Sequence, residues 1–260
     1  MPWLAGAAVI ALVSSGAFAP QASVTREAIV LAEDRRAAQP GDVELLVSAA
    51  RSREAALRAL AIRALGRLEQ SHASHAQGRD TIRKALDDRD AGVRRVAAYA
   101  LAQSVTAMDA AARAPRRAEL IAALAGERDD QVASALMESA ARLADQASVT
   151  EVEAAILLQA AARGRGEGAA SALEILARRA RKPGVLSAAS LAWLSAAVSG
   201  DALAPVSRRA ALQAIVTSAA LDPALAVILV HDAARPLITG AVITRCIDAA
   251  AEGRCVIAAI

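Results

Sequence analysis

A helical stripe of apolar and small residues that recurs along the middle of the chain constrains the fold more than any other feature. The stripe occupies offsets 0, 3, 4, 7, 8 and 11 from Leu57, from Val93 and from Val132. Such spacing predicts one covered face of an α-helix each time. The copies start 36 and 39 residues apart, which is the size of one helix–turn–helix unit. One such unit cannot bury its apolar face alone, so we expect neighbouring units to stack.

The stripe residues are Leu57, Leu60, Ala61, Ala64, Leu65 and Leu68, then Val93, Val96, Ala97, Ala100, Leu101 and Ser104, then Val132, Ala135, Leu136, Ser139, Ala140 and Leu143. Charged turns, Asp87-Asp-Arg-Asp90 and Glu127-Arg-Asp-Asp130, precede the second and third copies and follow apolar helices. After an irregular stretch over 150–182, the stripe is predicted once more at Val185, Ala188, Ala189, Ala192, Trp193 and Ala196. We therefore expect a mainly α domain of four to five helix pairs over residues 23–221.

The second helix of each unit resembles that of HEAT-type repeats. The likeness rests on Leu57-Arg58 with Ala64-Leu65-Gly66, and on Val93-Arg94 with Ala100-Leu101. It implies an α-α superhelix whose concave surface binds a protein partner without any cofactor. Arg26-Glu-Ala-Ile-Val-Leu-Ala-Glu-Asp-Arg-Arg36 is also similar, more loosely, to the helical-repeat leaders of secreted bacterial peptidyl-prolyl isomerases. Nothing resembles the isomerase domain, so no catalytic residue follows from that likeness.

Composition argues against nucleic-acid binding. Aromatic residues make up only 2% of the chain, and Tyr99 and Trp193 are the only ones after residue 18, which leaves no platform for stacking bases. The net charge is +3, but cations and carboxylates are interspersed, as on a solvated mixed-charge surface. The densest basic run, Arg178-Arg179-Ala180-Arg181-Lys182, is expected to close a helix before Pro183.

Metal and disulfide chemistry is not indicated either. Cys246 and Cys255 are the only cysteines, and their spacing matches no metal site or disulfide framework. His72 and His75 lie in a polar connector that contains no further ligand.

Residues 1–22 are expected to form a secretory signal or a hydrophobic N-terminal segment. The apolar run over 4–13 has the length of a signal h-region, and Ala17 and Ala19 form an A-x-A cleavage pattern. No basic residue precedes the run, and Pro20 follows the cut directly, so Ala22 is an alternative site. The run is shorter than the roughly 20 apolar residues of a membrane span. The mature chain is thus expected in the periplasm or outside the cell, with no stable membrane span; an uncleaved anchor and a buried first helix remain alternatives.

The last 39 residues, 222–260, carry a different pattern. Val227-Ile-Leu-Val230 reads as a buried strand, and His231, Asp232 and Arg235 follow at its carboxyl end. A helix and a second apolar strand over 255–260 would complete a short, Rossmann-like β-α-β segment. In open α/β sheets, ligands bind at this edge.

The motif His231-Asp-Ala-Ala-Arg-Pro236, with the helix after it, resembles 2-C-methyl-D-erythritol 4-phosphate cytidylyltransferases. These enzymes transfer CMP from CTP in isoprenoid precursor biosynthesis. By this resemblance His231, Asp232, Ala233 and Arg235 would bind the nucleotide. Asp232 would also lie near Mg²⁺, and Arg235 would be the structural or phosphate-facing cation.

The resemblance lacks the Gly-rich basic loop that cradles the triphosphate in that family. The nearest sequence, Gln159-Ala-Ala-Ala-Arg-Gly-Arg-Gly-Glu-Gly168, is expected to be a turn between helices. The sequence stops at Ile260, before the family's second catalytic strand. We therefore expect an exported, non-enzymatic scaffold that carries a truncated cytidylyltransferase segment. The alternatives are a cytoplasmic cytidylyltransferase that uses CTP and Mg²⁺, and a misjoined reading frame.

Overall fold

The computed structural model describes residues 25–35, 39, 41–68, 74–106, 108–163, 166–180, 185–199 and 203–218. These residues form eleven α-helices and no strand, which confirms the prediction of a mainly α chain. The predicted signal over 1–22 and the predicted β-α-β segment over 222–260 lie outside the described residues.

The helices follow one another through short connections, two of which contain single 3-10 turns at Ala85–Asp87 and Gln146–Ser148. The helices are α1 Arg26–Arg35, α2 Asp42–Ala49, α3 Ala55–Arg67, α4 Ser74–Lys84, α5 Ala91–Val105, α6 Ala110–Gly126, α7 Asp130–Leu143, α8 Val149–Arg163, α9 Glu167–Ala180, α10 Ala188–Ser199 and α11 Pro205–Ser218.

The helices are arranged in two rows. Each odd-numbered helix packs along the next odd-numbered one, from α1 to α11, and we call this series the odd row. The even-numbered helices, the even row, cover one side of the odd row. The core lies between the rows and consists mostly of Ala, Leu, Val and Ile. After α1, this arrangement amounts to five helix pairs in the described part of the chain.

The three overlaid stripes are confirmed as the core-facing sides of α3, α5 and α7. All members of the third stripe are buried, whereas Leu57, Leu60 and Val96 in the first two are only partly covered. The charged turns between helices are confirmed as well. Asp90 caps the N-terminus of α5, where its Oδ1 accepts a hydrogen bond from the Val93 amide at 3.1 Å. Asp129 caps α7 in the same way, as expected for a carboxylate at an N-cap.

The stripe predicted from Val185 to Ala196 is wrong as a covered face. Ala188, Ala189, Ala192 and Ala196 are exposed on α10, which is an even-row helix. The next copy lies in α9, within the stretch that the sequence pattern presented as irregular. Its first residue, Ala169, lies 37 positions after Val132, and its buried members are Ala169, Ala172, Leu173, Leu176 and Ala177. A further copy in α11 buries Ala211, Ala214 and Ser218.

The glycine-containing stretch from Gln159 to Gly168 spans the end of one helix and the start of the next, as predicted for a junction between helices. Helix α8 ends at Arg163, and α9 begins at Glu167. A Cβ on Gly166 would lie 2.5 Å from the Trp193 ring, so this glycine permits close packing. Arg178 and Arg179 lie in the last turn of α9, which agrees with the prediction that the basic run closes a helix.

Candidate functional site

The site residues predicted from the cytidylyltransferase resemblance lie outside the described residues. These are His231, Asp232, Ala233 and Arg235, and the cysteines at 246 and 255 lie there too. In the described part of the chain no cluster of His, Cys, Asp and Glu could hold a metal ion. None of the helices described there is long and apolar enough to cross a membrane. The candidate site is therefore sought on the surface of the helical array.

The odd row is the tightly packed side of the array. A Cβ on Gly66 of α3 would lie 2.7 Å from the Cα of Ala100 in α5, and a Cβ on Gly168 of α9 would lie 2.5 Å from the Cβ of Ser134 in α7. Successive even-row helices touch each other sparsely. Because one row is close-packed and the other is spread, we infer that the array bends toward the odd row. The exposed side of the odd row is therefore the inside of the curve.

Arginine clamps hold successive turns at the edge of this curve. The Arg58 guanidinium binds both carboxylate oxygens of Asp88, at 2.7 and 2.8 Å, and also donates to the carbonyls of Ser52 and Arg53. Arg94 repeats the pattern one unit later, binding Glu127 at 2.8 and 3.0 Å and the Asp88 carbonyl at 2.9 Å. Each arginine thus ties its own turn to the next one through a bidentate pair.

These pairs shift the titration of the carboxylates. Hydrogen bonds from Arg94 lower the pKa of Glu127 to about 2, against the opposing effect of burial. Burial raises the pKa of Asp88, but the hydrogen bonds from Arg58 and from the Asp90 amide outweigh it and leave that pKa below its usual value. Both carboxylates are therefore charged at neutral pH, and their role is to hold successive turns of the array together.

The next clamp runs in the opposite direction. Ala133 stands where Arg58 and Arg94 stand in the earlier units, one residue after the stripe begins. Instead, Arg163 at the end of α8 reaches back to the previous turn. It pairs with Asp130 at 2.7 Å and donates to the carbonyls of Glu127 and Arg128. The cation therefore comes from the later unit at this junction.

The exposed side of the odd row is basic. We define the inner face as offsets 2, 6 and 10 of each stripe from α3 to α11, and all its members are exposed or partly exposed. It contains six arginines and one glutamate among otherwise neutral residues. The members are Ala59, Arg63, Arg67, Arg95, Tyr99, Gln103, Ser134, Glu138, Arg142, Ser171, Ile175, Arg179, Arg209, Gln213 and Thr217.

At the first unit, a buried carboxylate from α1 neutralises part of this charge. Glu33 is only 4% exposed and receives hydrogen bonds from Arg63 at 3.0 and 2.8 Å and from Arg67. Both arginines belong to α3. The positive charge of Arg63 and Arg67 on the inner face is therefore largely compensated at α3.

Tyr99 of α5 is the exposed aromatic residue of the inner face. Its ring is flanked by polar partners on α7, and its hydroxyl donates to Glu138 Oε2 at 3.0 Å. Burial, followed by the negative charge of Glu138, raises the pKa of Tyr99 to about 12, so the hydroxyl keeps its proton at neutral pH. On the same side Arg95 donates to Gln131 Oε1 at 2.5 Å.

Two clefts open between the turns. The first, of about 410 Å³, lies between the turns held by Arg94. The second, of about 330 Å³, lies where α7 and α9 begin, next to Gln131 and Arg163. The lining of the second cleft is Asp130, Gln131, Ser134, Met137, Arg163, Glu167 and Gly168.

Sequence reasoning identified the surface but no anchoring residue on it. The signal was present in the repeat register, because offset 6 holds Arg63, Tyr99, Glu138, Ile175 and Gln213 in successive units. The residue at offset 6 is basic, aromatic, acidic, aliphatic and amide-bearing in turn from one unit to the next. The stripe residues, in contrast, are apolar or small in every unit. Variation at a fixed exposed position indicates a surface whose side chains are not set by packing.

Comparison of the chain with protein-family models, with curated proteins and with solved structures gave no match.

Proposed function

We propose that the helical array is a HEAT-type α-α superhelix that works as a non-enzymatic scaffold and binds a protein partner on its inner face. The observation that carries this proposal is the close packing of each odd-row helix on the next, which places the exposed positions of successive helices side by side on one face. Extended concave surfaces are the usual binding sites of helical-repeat proteins.

The composition of the inner face supports a protein partner. Tyr and Arg are the side chains most enriched at the energetic centres of protein–protein interfaces. The face combines Tyr99 with exposed arginines, and Tyr99 is itself 39% exposed. The carboxylates of Asp88 and Glu127 already form ion pairs with arginines of the array, so they do not require a partner from another protein.

Site-specific photo-crosslinking of the full chain in the cells that express it would test the scaffold. A photoreactive residue at Gln103 or Gln213 samples the inner face, and the matched control at Leu158 samples the even row, where that side chain is 69% exposed. We expect a discrete crosslinked product from the inner-face positions only. Products from Leu158 alone would place the interaction on the other side, and the absence of products from all three positions would contradict the scaffold function.

A second candidate function concerns the C-terminal segment and rests on its sequence alone. The motif from His231 to Pro236 supports nucleotide binding by a cytidylyltransferase-like β-α-β unit, with Asp232 near Mg²⁺. Calorimetric titration of the full chain with CTP and Mg²⁺ tests it, with Asp232→Asn as the variant and ATP as the control nucleotide. Saturable CTP binding that the variant loses would support the enzyme alternative. Absence of saturable CTP binding would contradict this second function.

A further inference from the structure

The strip of exposed surface that α5 and α7 share carries the most complete set of groups for binding a ligand, and we call this strip the groove between α5 and α7. On the α5 side it presents Arg95 and Tyr99. On the α7 side Gln131, Ser134, Glu138 and Arg142 follow one another at helical spacing along a single exposed line. From Gln131 to Arg142 this line measures about 16 Å at 1.5 Å per residue.

The cations of the groove retain unused hydrogen-bonding capacity. A guanidinium carries five N–H donors, and Arg95 uses Nη1 in its hydrogen bond to Gln131. Arg142 is exposed, and its guanidinium has no hydrogen-bond partner within the described ranges. Both arginines lie close enough to Tyr99 to favour its ionised form. One groove thus offers two cations on either side of an aromatic ring.

Glu138 adds one carboxylate to the groove, beside Tyr99. It accepts the Tyr99 hydroxyl hydrogen bond and is the only acid among the inner-face positions. Because the Tyr99 hydroxyl has one proton and Glu138 already accepts it, a carboxylate from another chain would pair with Arg95 and Arg142 and not with the hydroxyl. Two cations, Arg95 and Arg142, thus stand against one carboxylate, and the resulting net positive charge suits an acidic ligand.

We propose that the groove between α5 and α7 binds an extended acidic segment of the partner protein, with Arg95 and Arg142 pairing with its carboxylates and Tyr99 packing against its backbone. This inference rests on the proposed scaffold function and names the class of partner. About five extended residues at 3.3–3.6 Å each would span the 16 Å line. An amphipathic helix is a poorer fit, because such ligands need an apolar groove and the Tyr99–Glu138 hydrogen bond crosses this one.

Nucleic acid is the competing ligand for a basic surface. Single strands bind where several aromatic side chains stack successive bases along a positive channel. The groove offers one ring, Tyr99, whose hydroxyl is already bound to Glu138, so successive bases would find no second aromatic side chain on which to stack. The observations therefore favour a peptide with spaced carboxylates.

Fluorescence polarisation with the full chain would test this proposal. The probes are labelled eight-residue peptides of alternating Glu and Ala, of Gln and Ala, and of Lys and Ala, with an oligothymidylate as the nucleic-acid probe. We expect saturable binding of the Glu peptide, weaker at higher salt because exposed charge pairs are screened. We expect the Arg95→Gln, Arg142→Gln double variant to weaken that binding about tenfold, from two exposed pairs. Arg128→Gln, an exposed arginine in the turn before α7, is the matched control and should leave binding unchanged.

A gain of affinity distinguishes the proposal from a folding defect. Glu138→Gln keeps an acceptor for the Tyr99 hydroxyl and removes the competing charge, so it should tighten binding of the Glu peptide about twofold to fivefold. Equal binding of the Glu and Gln peptides, tighter binding of the oligonucleotide, or no effect of the double variant would each overturn the proposal. Crosslinks from Gln103 would still stand in those cases, so failure of the acidic-segment proposal is separate from failure of the scaffold.

Discussion

Arg58 and Arg94 show how single residues join the units of the array. Each forms a bidentate pair with a carboxylate in the following turn, and each side chain also holds the carbonyls of its own turn. Arg58 is only 6% exposed. Sequence reasoning assigned these charges to a solvated surface, because interspersed signs are typical of one. The partners in each pair are 30 or more residues apart in the chain. The stacking of the units therefore determines which carboxylate each arginine binds.

The pairing of Glu127 predicts the behaviour of the protein in acid. The folded-state pKa is about 2, below the ordinary 4.5, so the folded state binds fewer protons than the unfolded state. The contribution of Glu127 to the free energy of unfolding is therefore complete above about pH 4.5 and is lost as the pH falls toward 2. In Glu127→Gln we expect unfolding at pH 7 to be easier by about 1–3 kcal/mol, and the decline of stability between pH 4.5 and 2 to be shallower. Denaturant titrations from pH 7 to pH 2 measure both.

Glu174→Gln is the matched control for that experiment. Glu174 also pairs with an arginine, Arg178, but within one helix at i, i+4, where such a pair contributes about 0.3–0.5 kcal/mol. Its loss should therefore change little at any pH. Equal effects of the two substitutions would contradict the role assigned to the clamp between the turns.

At the scale of helices, small residues determine how closely the odd row packs. Gly66 of α3 faces Ala100 of α5, and a Cβ on Gly66 would meet two atoms of Ala100 at 2.7 Å. We expect Gly66→Ala to force α3 and α5 apart and to destabilise the protein by about 1–3 kcal/mol. The denaturation midpoint, followed by far-ultraviolet circular dichroism, measures the change.

Gly126→Ala provides the matched control for the close approach. A Cβ on Gly126, the last residue of α6, would meet nothing within 4 Å. Alanine also loses less conformational entropy than glycine on folding, so the substitution should be neutral or stabilising by up to about 1 kcal/mol. Similar destabilisation by both substitutions would show that glycine acts at residue 66 for a reason other than packing.

The helices also show which parts of the fold the sequence could predict. Three stripes were identified correctly because a charged turn or a clear apolar period marks each of them. On α10 the period was right but the covered side was wrong, because Ala188, Ala192 and Ala196 form one stripe while Leu186, Ser190 and Leu194 form the buried one. Because alanine lies on both sides of this helix, the hydrophobic pattern does not indicate which side is buried. The sequence pattern does not predict the fourth copy of the stripe, in α9, because glycines interrupt the apolar period just before it.

In the whole molecule, the odd row is more deeply covered than the even row. Most of α7 is buried between its row neighbours and the even row, whereas α6 buries only Arg117, Leu120 and Leu124. Amide exchange depends on local opening, which is easiest where few apolar contacts must be broken. We therefore expect amides of α5 and α7 to exchange about tenfold or more slowly than those of α6 and α10. Hydrogen–deuterium exchange with mass spectrometry on the full chain measures this, and equal protection of α6 and α7 would contradict the two-row description.

The candidate site of the whole molecule was predictable only in outline. Repetition indicated a concave surface, because stacked units must place equivalent positions side by side. Tyr99 and Glu138 form a hydrogen bond although they lie 39 positions apart in the sequence. The bond depends on how α5 is aligned along α7, and no pattern in a single sequence predicts that alignment. The motif at 231–236 was the more specific sequence signal, but it lies outside the described residues and its role stays a prediction.

The reversed clamp at Arg163 means that the units of this protein are not interchangeable. A unit inserted between α5 and α6 could copy the existing link, an arginine paired with a carboxylate in the next turn. Removal of α6 and α7 would instead delete Glu127 and Asp130, the carboxylates that Arg94 and Arg163 bind, and would set these two arginines at the same junction. An insertion before α6 can therefore keep every link, whereas a deletion of α6 and α7 breaks two of them, so the junction that Arg163 holds gives the repeat a preferred order.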